Sequence, residues 1–184
     1  VLTPPPGKAL ARAEEAAPVA AGLREIYGDE AAGWRIAVHS QPPHAGLVGA
    51  AVDADFMQQL EALLARHRCR TVAISPLSSR AVRHLPSRFD GWWIGVESGW
   101  ATLMGASGGV WQYLTAQPID TDWRAALPDW LAREAECTAT PIARQVWLQP
   151  FGLGAVGSVT MDDWHWHTLP HDPRARGATS LVDI

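Results

Sequence analysis

The stretch from Gly91 to Pro150 constrains the fold more than any other part of the chain. It opens with GWWIGVESG, continues with WATLMGAS and then with GVWQYLTAQPI. These are three apolar runs rich in Trp, Ile, Val, Thr and Tyr, residue types that suit a pleated surface. The Gly and Ser breaks between them are short enough for hairpins. After Ile119 the period changes. TDWRAALPDWLAREAE spaces Trp123, Ala126 or Leu127, Trp130, Leu131 and Ala135 at helical intervals, with Pro128 as the one residue that opposes a helix. A last apolar run, RQVWLQP, ends in the Gly-rich FGLGAVGS.

The order is therefore strand, strand, strand, helix, strand. Short breaks make the first three strands an antiparallel meander, Trp92–Ser98, Ala101–Ala106 and Val110–Ala116. The helix near Trp123–Glu136 then acts as a crossover that returns Val146–Gln149 to the same sheet in parallel. That is the core order of the ribonuclease H-like and actin-like folds. The expected class is α/β, an actin-like/ribonuclease H-like mixed sheet with flanking helices.

The remaining chain fits around this unit. Pro4 to Pro6 mark an extended start. Lys8 to Tyr27 is rich in Ala, Glu, Leu and Arg and reads as helix, interrupted by Pro18. WRIAVHS places Trp34, Ile36 and Val38 on one face of a strand, and Leu47 to Val52 makes its hairpin partner. Asp53 is an N-cap for DADFMQQLEALLARHR, whose stripe of Phe56, Leu60, Leu63 and Leu64 is expected to face the core. RTVAISP over 70–76 reads as a buried strand, and Ser78 or Ser79 caps a short helix that Pro86 stops. WHWHTLP is a final strand, and the tail from His171 is Pro, Arg and Gly rich. The segments are 1–88, the helix, strand pair and α/β part; 89–160, the meander–helix–strand unit; and 161–184, the last strand and tail.

At 184 residues, 47% of them apolar, the chain is long enough to bury a core. No run approaches the ~20 apolar residues of a membrane span, and no secretory signal pattern opens the chain. A net charge of −4 argues against a general nucleic-acid binder. Two cysteines, Cys69 and Cys137, make no disulfide framework, and buried free thiols are expected at both. The expected compartment is the cytoplasm. The chain starts at Val1 rather than Met, so a piece upstream is an open expectation.

Three stretches carry a resemblance: YGDEAAGW; LVGAAVDADFMQQLEALLARHRCRTVAISPLSSRAVRHL; and WWIGVESGWATLMGASGGVWQYL. In element order and pattern, from about Tyr27 to Pro150, the chain resembles the cytoplasmic actin-like proteins of bacterial type IV pilus and type II secretion machines, the PilM and GspL-type scaffolds. The resemblance implies an actin-like fold, ATP and Mg²⁺ between two lobes in some members, and a scaffold role at the inner face of the inner membrane. It also implies that an N-terminal hairpin with the first phosphate loop is absent from this chain. The second phosphate loop falls at the first turn of the meander. There Glu97 stands in place of a metal-associated Asp, and Ser98, Gly99 and Thr102 are the remaining small or hydroxyl groups. Trp100 sits beside the turn where backbone must approach phosphate. Binding phosphate needs converging N–H groups and room for the anion, so this turn is expected to be a weak cradle and the chain not to hydrolyse ATP.

A ribonuclease H-like nuclease would need several carboxylates around two metal ions about 3.5–4 Å apart. Glu97 occupies the first-strand position and Asp162 and Asp163 could supply a late pair, but Val146 to Gln149 offer none. His165 and His167 share one strand face and could present two imidazoles to Zn²⁺, against a plain half-buried strand with Trp on its other face. Gly152, Gly154 and Gly157 meet a Gly-x-Gly-x-x-Gly spacing with no convincing helix after it. Ser78 and Ser79 near His84 lack a nucleophile elbow. Of the ten tryptophans, Trp92 and Trp93 must point to opposite faces of one strand. Either helices cover both faces, or one indole is exposed for a partner.

The expected function is non-catalytic: a scaffold that binds the cytoplasmic segment of an inner-membrane pilus or secretion protein, with self-association possible and no membrane insertion of its own. Partner binding is expected along the strand carrying Trp34, Ile36 and Val38, left as an edge by the absent hairpin. The alternatives are an ATPase of the actin superfamily and a ribonuclease H-like metal-dependent nuclease.

Overall fold

The computed structural model describes residues 1–69, 75–76, 78, 84–86, 88–153, 159 and 163–169. The strand expected over 70–76 and the helix expected over 78–85 lie largely outside these residues. So do Gly154, Gly157, Asp162 and the tail from His171. The chain forms two compact units, Val1–Arg80 and Ala81–Ile184.

The first unit begins with α1 (Ala16–Tyr27) and a 3₁₀ turn (Gly28–Gly33), followed by β1 (Trp34–His39), β2 (Val48–Asp53) and α2 (Ala54–Arg66). Helix α1 starts at Ala16 rather than near Lys8, which puts Pro18 in the first turn. A proline there costs no hydrogen bond, because the first N–H groups of a helix have no partner within it. Strands β1 and β2 pair antiparallel, Trp34 opposite Asp53 and His39 opposite Val48. Residues Val1 to Thr3 lie along the other side of β2. Thr3 N–H donates to Leu47 O at 3.0 Å and Gly49 N–H to Val1 O at 2.8 Å.

The alternation read from WRIAVHS is present. Trp34, Ile36 and Val38 are half-buried and the residues between them exposed. The half-buried three pack with Val19, Leu23, Ala31 and Leu47. Helix α1 comes this close to β2 because residue 49 is glycine: a β-carbon there would lie 2.2 Å from a Val19 methyl. Asp53 caps α2 as expected, its Oδ1 accepting from Phe56 N–H at 2.7 Å.

In the second unit, β3 (Gly91–Glu97), β4 (Trp100–Ser107) and β5 (Val110–Pro118) form the expected meander. Then come α3 (Trp123–Glu136), β6 (Gln145–Pro150) and β7 (His165–Thr168). The sheet order is β5-β4-β3-β6-β7. β6 lies parallel to β3, with Ile94 opposite Leu148, and β7 lies parallel to β6. A meander whose first strand takes a parallel neighbour after a crossover helix is the ribonuclease H-like, actin-like arrangement. The β4–β5 turn uses Gly108 and Gly109, both at positive φ (60° and 86°), which suits a two-residue hairpin loop.

Pro128 lies inside α3 and the helix continues through it. Packing decides this. Trp123, Leu127, Trp130 and Leu131 are all buried against Trp92, Ile94, Val96, Leu103, Val146 and Leu148 on one face of the sheet. Burial of that much apolar surface outweighs the ~3 kcal/mol penalty of an interior proline. Where Trp92 and Trp93 point apart, both are buried, at 0% and 1% exposure. The alternative in which one of them is displayed to a partner is thereby corrected: both faces of β3 are covered.

Two further expectations are corrected. Cys69 and Cys137 are free but exposed, not buried. Each follows the last turn of its helix. In α2, Phe56 and Leu63 are exposed, and Met57 is the residue buried instead.

Candidate functional site

The three groups of residues expected to carry function lie in different places. The turn Glu97-Ser98-Gly99-Trp100 joins β3 to β4, with Glu97 paired opposite Trp100. Ser98 and Gly99 form the loop, and Gly99 takes φ +79°. All four residues are exposed, and a β-carbon on Gly99 would meet nothing within 4 Å. Gly99 O accepts from Ile119 N–H at 3.0 Å, which ties the turn to the end of β5. Thr102 lies within β4, opposite Gly95 on one side and Ala116 on the other. There is room for an anion at the tip, but a two-residue loop presents few N–H groups, and they do not open a helix.

His165 and His167 are both exposed on β7. The ring of His167 stacks on Trp147, with centroids 4.7 Å apart and planes at 25°, and its Nε2 lies 3.2 Å from Gln145 Oε1. Asp163 sits nearby in sequence at φ +64°, with a carboxylate oxygen 3.8 Å from Arg144. Among the described residues no three His, Cys, Asp or Glu side chains are grouped to hold a metal ion. Where β6 lacks carboxylates, Gln149 is buried at 1% exposure, its Oε1 3.4 Å from Trp93 Nε1. It holds an indole in place and faces no solvent.

The third group is a site of a different kind. Trp34 and Ile36 line an open groove of about 570 Å³ in the first unit, together with Tyr27, Phe56, Met57 and Leu60. Val38 does not line it and packs toward α1. The groove takes residues from both faces of β1, Trp34 and Ile36 on one and Arg35 and Ala37 on the other, from Ala50 to Val52 of β2, and from Ser75 and Pro76. Among the described residues no strand pairs with the far edge of β1. The sides are supplied by the helices: Tyr27 ends α1 and stacks obliquely on Trp34 at 5.0 Å. Phe56 and Leu60 come from α2. Arg35 Nη1 reaches Glu61 Oε1 at 2.7 Å, an exposed pair that links β1 to α2. Such exposed pairs contribute little stability.

Among the described residues, four of the five exposed large apolar side chains are Ile26 (60%), Tyr27 (52%), Phe56 (56%) and Leu63 (52%), all on α1 and α2. The fifth is Trp100. The α2 residues were legible as an apolar stripe, but helical spacing alone does not tell a stripe that meets the core from one that meets a partner. No described helix is long and apolar enough to cross a membrane.

No protein-family model matches the chain, and no curated protein matches its sequence. Solved structures do match its shape. One is the cytoplasmic domain of EpsL, an inner-membrane component of the type II secretion system of Vibrio cholerae. It is 14% identical, with a TM-score of 0.57, over 99% of this chain and 70% of that one. Another is a protein of unknown function with an actin-like ATPase fold from Bacteroides thetaiotaomicron, 9% identical, with a TM-score of 0.46, over 79% of this chain and 54% of that one. The chain has the fold of the EpsL cytoplasmic domain.

Proposed function

We propose that the chain is a non-catalytic docking domain of a type II secretion or type IV pilus inner-membrane assembly. It holds the cytoplasmic segment of an inner-membrane partner in the groove along β1. The observation that carries this reading is apolar exposure at the groove: Tyr27 and Phe56, which line it, are 52% and 56% exposed, and Ile26 and Leu63 on the same two helices are exposed as well. Contiguous exposed apolar surface on a folded domain marks a binding site. The likeness to the EpsL cytoplasmic domain supplies the class of partner. An extended peptide added to the β1 edge would gain main-chain hydrogen bonds, while Trp34, Ile36 and Phe56 offer apolar contacts on either side.

The same reading holds that ATP is not turned over. The Ser98–Gly99 loop is short, and Glu97 and Trp100 flank it where a phosphate site needs clustered N–H groups. Measurable Mg²⁺-dependent ATP turnover by the purified chain, lost in Glu97→Gln, would overturn that part.

The docking test uses labelled cytoplasmic peptides of secretion and pilus inner-membrane proteins in fluorescence anisotropy. At least one is expected to bind the wild type, and a Tyr27→Ser/Phe56→Ser variant, changed at two exposed groove residues, to bind it at least tenfold more weakly with unchanged circular dichroism. Binding by none of the peptides, or equal binding by the variant, would overturn the proposal.

A further inference from the structure

The groove along β1 is electrically lopsided, and this bears on what it holds. At one end its lining is aromatic, from Tyr27, Trp34 and Phe56. Trp34 lies opposite Asp53 in the strand ladder. Asp53 caps α2, which puts Asp55 in the first turn of that helix, next to Phe56. On the α1 side, the rings of Tyr27 and Trp34 come to 5.0 Å and close the 3₁₀ turn between them at the same end. That turn carries Asp29 and Glu30. Asp29, Glu30, Asp53 and Asp55 are all exposed.

Among the described residues nearby, positive groups do not balance these four. Arg35 lines the groove, but its guanidinium is held by Glu61 at 2.7 Å. Arg24 and Glu25, in the last turn of α1, are adjacent and of opposite sign. The positive end of α2 amounts to roughly half a charge. The Val1 amino group donates to Gly49 O at 2.8 Å, beyond Ala50 and away from Asp53. There the groove is lined by Ala37, opposite Ala50, and neither carries a charge. The aromatic end is therefore the negative end.

We propose, resting on the docking reading above, that the occupant of the groove is an extended segment with an apolar body and a cluster of Lys or Arg at one end. Its body lies against Trp34, Ile36 and Phe56, and its basic end lies beside Asp53, Asp55, Asp29 and Glu30. Exposed pairs are individually weak. Their combined field steers a basic segment in and turns an acidic one away, so charge sets which segment is taken more than how tightly. In a membrane protein, Lys and Arg are enriched in the cytoplasmic residues next to a span. The groove thus selects, within the cytoplasmic segment of its partner, the part closest to the bilayer.

The test uses three fluorescein-labelled peptides with a common body of alternating Leu and Ser. They carry three Lys, three Gln or three Glu at one end. Each is made with the block at the amino end and at the carboxyl end, and the tighter binder of the two is compared. In fluorescence anisotropy at low salt, the Lys peptide is expected to bind the full chain about tenfold more tightly than the Gln peptide, and the Glu peptide to bind least. The preference should shrink toward roughly 1 M salt, where charges are screened within about 3 Å. Asp53→Asn/Asp55→Asn should lose about three- to tenfold for the Lys peptide and nothing for the Gln peptide. Asn caps a helix as well as Asp does, so this variant keeps its fold, which circular dichroism checks. Equal binding of the three peptides, binding of none, or a variant whose affinity for the Lys peptide is unchanged would overturn the proposal. So would a loss in the variant that the Gln peptide shares. The docking reading stands or falls by the natural peptides of its own test, so the two failures are told apart.

Discussion

A β-carbon on Gly95 would lie 2.4 Å from Cη2 of Trp93. Both residues face the same side of β3, and the indole lies along the strand across the space where a side chain at 95 would project. Phe151 closes the same space, its ring 3.1 Å from that position. The fully buried Trp93 therefore depends on the absence of a side chain two residues on. Gly95→Ala must shift a large ring with no room to move, which costs about 1–3 kcal/mol. Urea unfolding should show a lower midpoint with the same slope. A midpoint equal to the wild type would mean that the indole does not lie there.

Adjacent positions in α2 should behave in opposite ways. Met57 is 8% exposed and Phe56 is 56% exposed. Met57→Ala leaves a cavity and is expected to lose about 2 kcal/mol or more. Phe56→Ala removes a larger side chain, yet is expected to change stability by about 0.5 kcal/mol or less. Parallel urea titrations decide the matter, and a large loss for Phe56→Ala would place that ring in the core.

The second unit was more legible in the sequence than the first, for a physical reason. Strands with Gly–Gly or Ser–Gly breaks between them have one simple pairing, and the period change at Ile119 marks the crossover, so the order and even the helix through Pro128 follow. Spacing says which residues share a face. It does not say what lies opposite. The stripe Phe56, Leu60, Leu63 and the pair Trp92, Trp93 show both sides of this. The stripe was expected inside, yet Phe56 and Leu63 are exposed and Leu60 is half-buried, while one of the two tryptophans could have been exposed and neither is. The groove depends on residues of α1, β1, β2 and α2 coming together, and its volume has no signature in any single segment. Of the candidate site residues, Glu97 and Gly99 fall at the turn that element order predicts. What that turn binds depends on atoms that a motif so short does not specify.

The cysteines give a direct chemical check. Cys69 and Cys137 are both exposed in the folded chain. Titration with a thiol reagent in the absence of denaturant should therefore modify two thiols per chain, with no slow phase that waits on unfolding. Buried thiols react only as the protein opens, so a second thiol that appears only in denaturant would place one of them inside.

The last prediction concerns alkaline pH. Tyr113 on β5 donates its hydroxyl hydrogen to Glu134 Oε2 on α3, and Trp130 Nε1 donates to Oε1 of the same carboxylate at 3.0 Å. Burial, and then the bond to the carboxylate and its negative charge, push the Tyr113 phenol well above its ordinary value. Each cause opposes the phenolate: burial removes water from the charge, and Glu134 loses its donor and gains a like charge beside it. The sign follows from proton counting. Near pH 10 the unfolded chain begins to lose this proton while the folded chain keeps it. The unfolded state then binds fewer protons, so stability falls as pH rises. The contribution is complete below about pH 10 and fades as pH climbs toward the folded value. Tyr113→Phe lacks the group, so the difference between wild type and variant isolates it. At neutral pH the wild type is expected to be more stable by about 1 kcal/mol, the worth of a half-buried hydrogen bond. Above pH 10 that difference should shrink, while absorbance at the phenolate band, read as wild type minus Tyr113→Phe, should lag behind an ordinary tyrosine. A difference in stability that stays constant through this range, or a subtracted titration centred on the ordinary value, would mean that the hydroxyl is not held against Glu134.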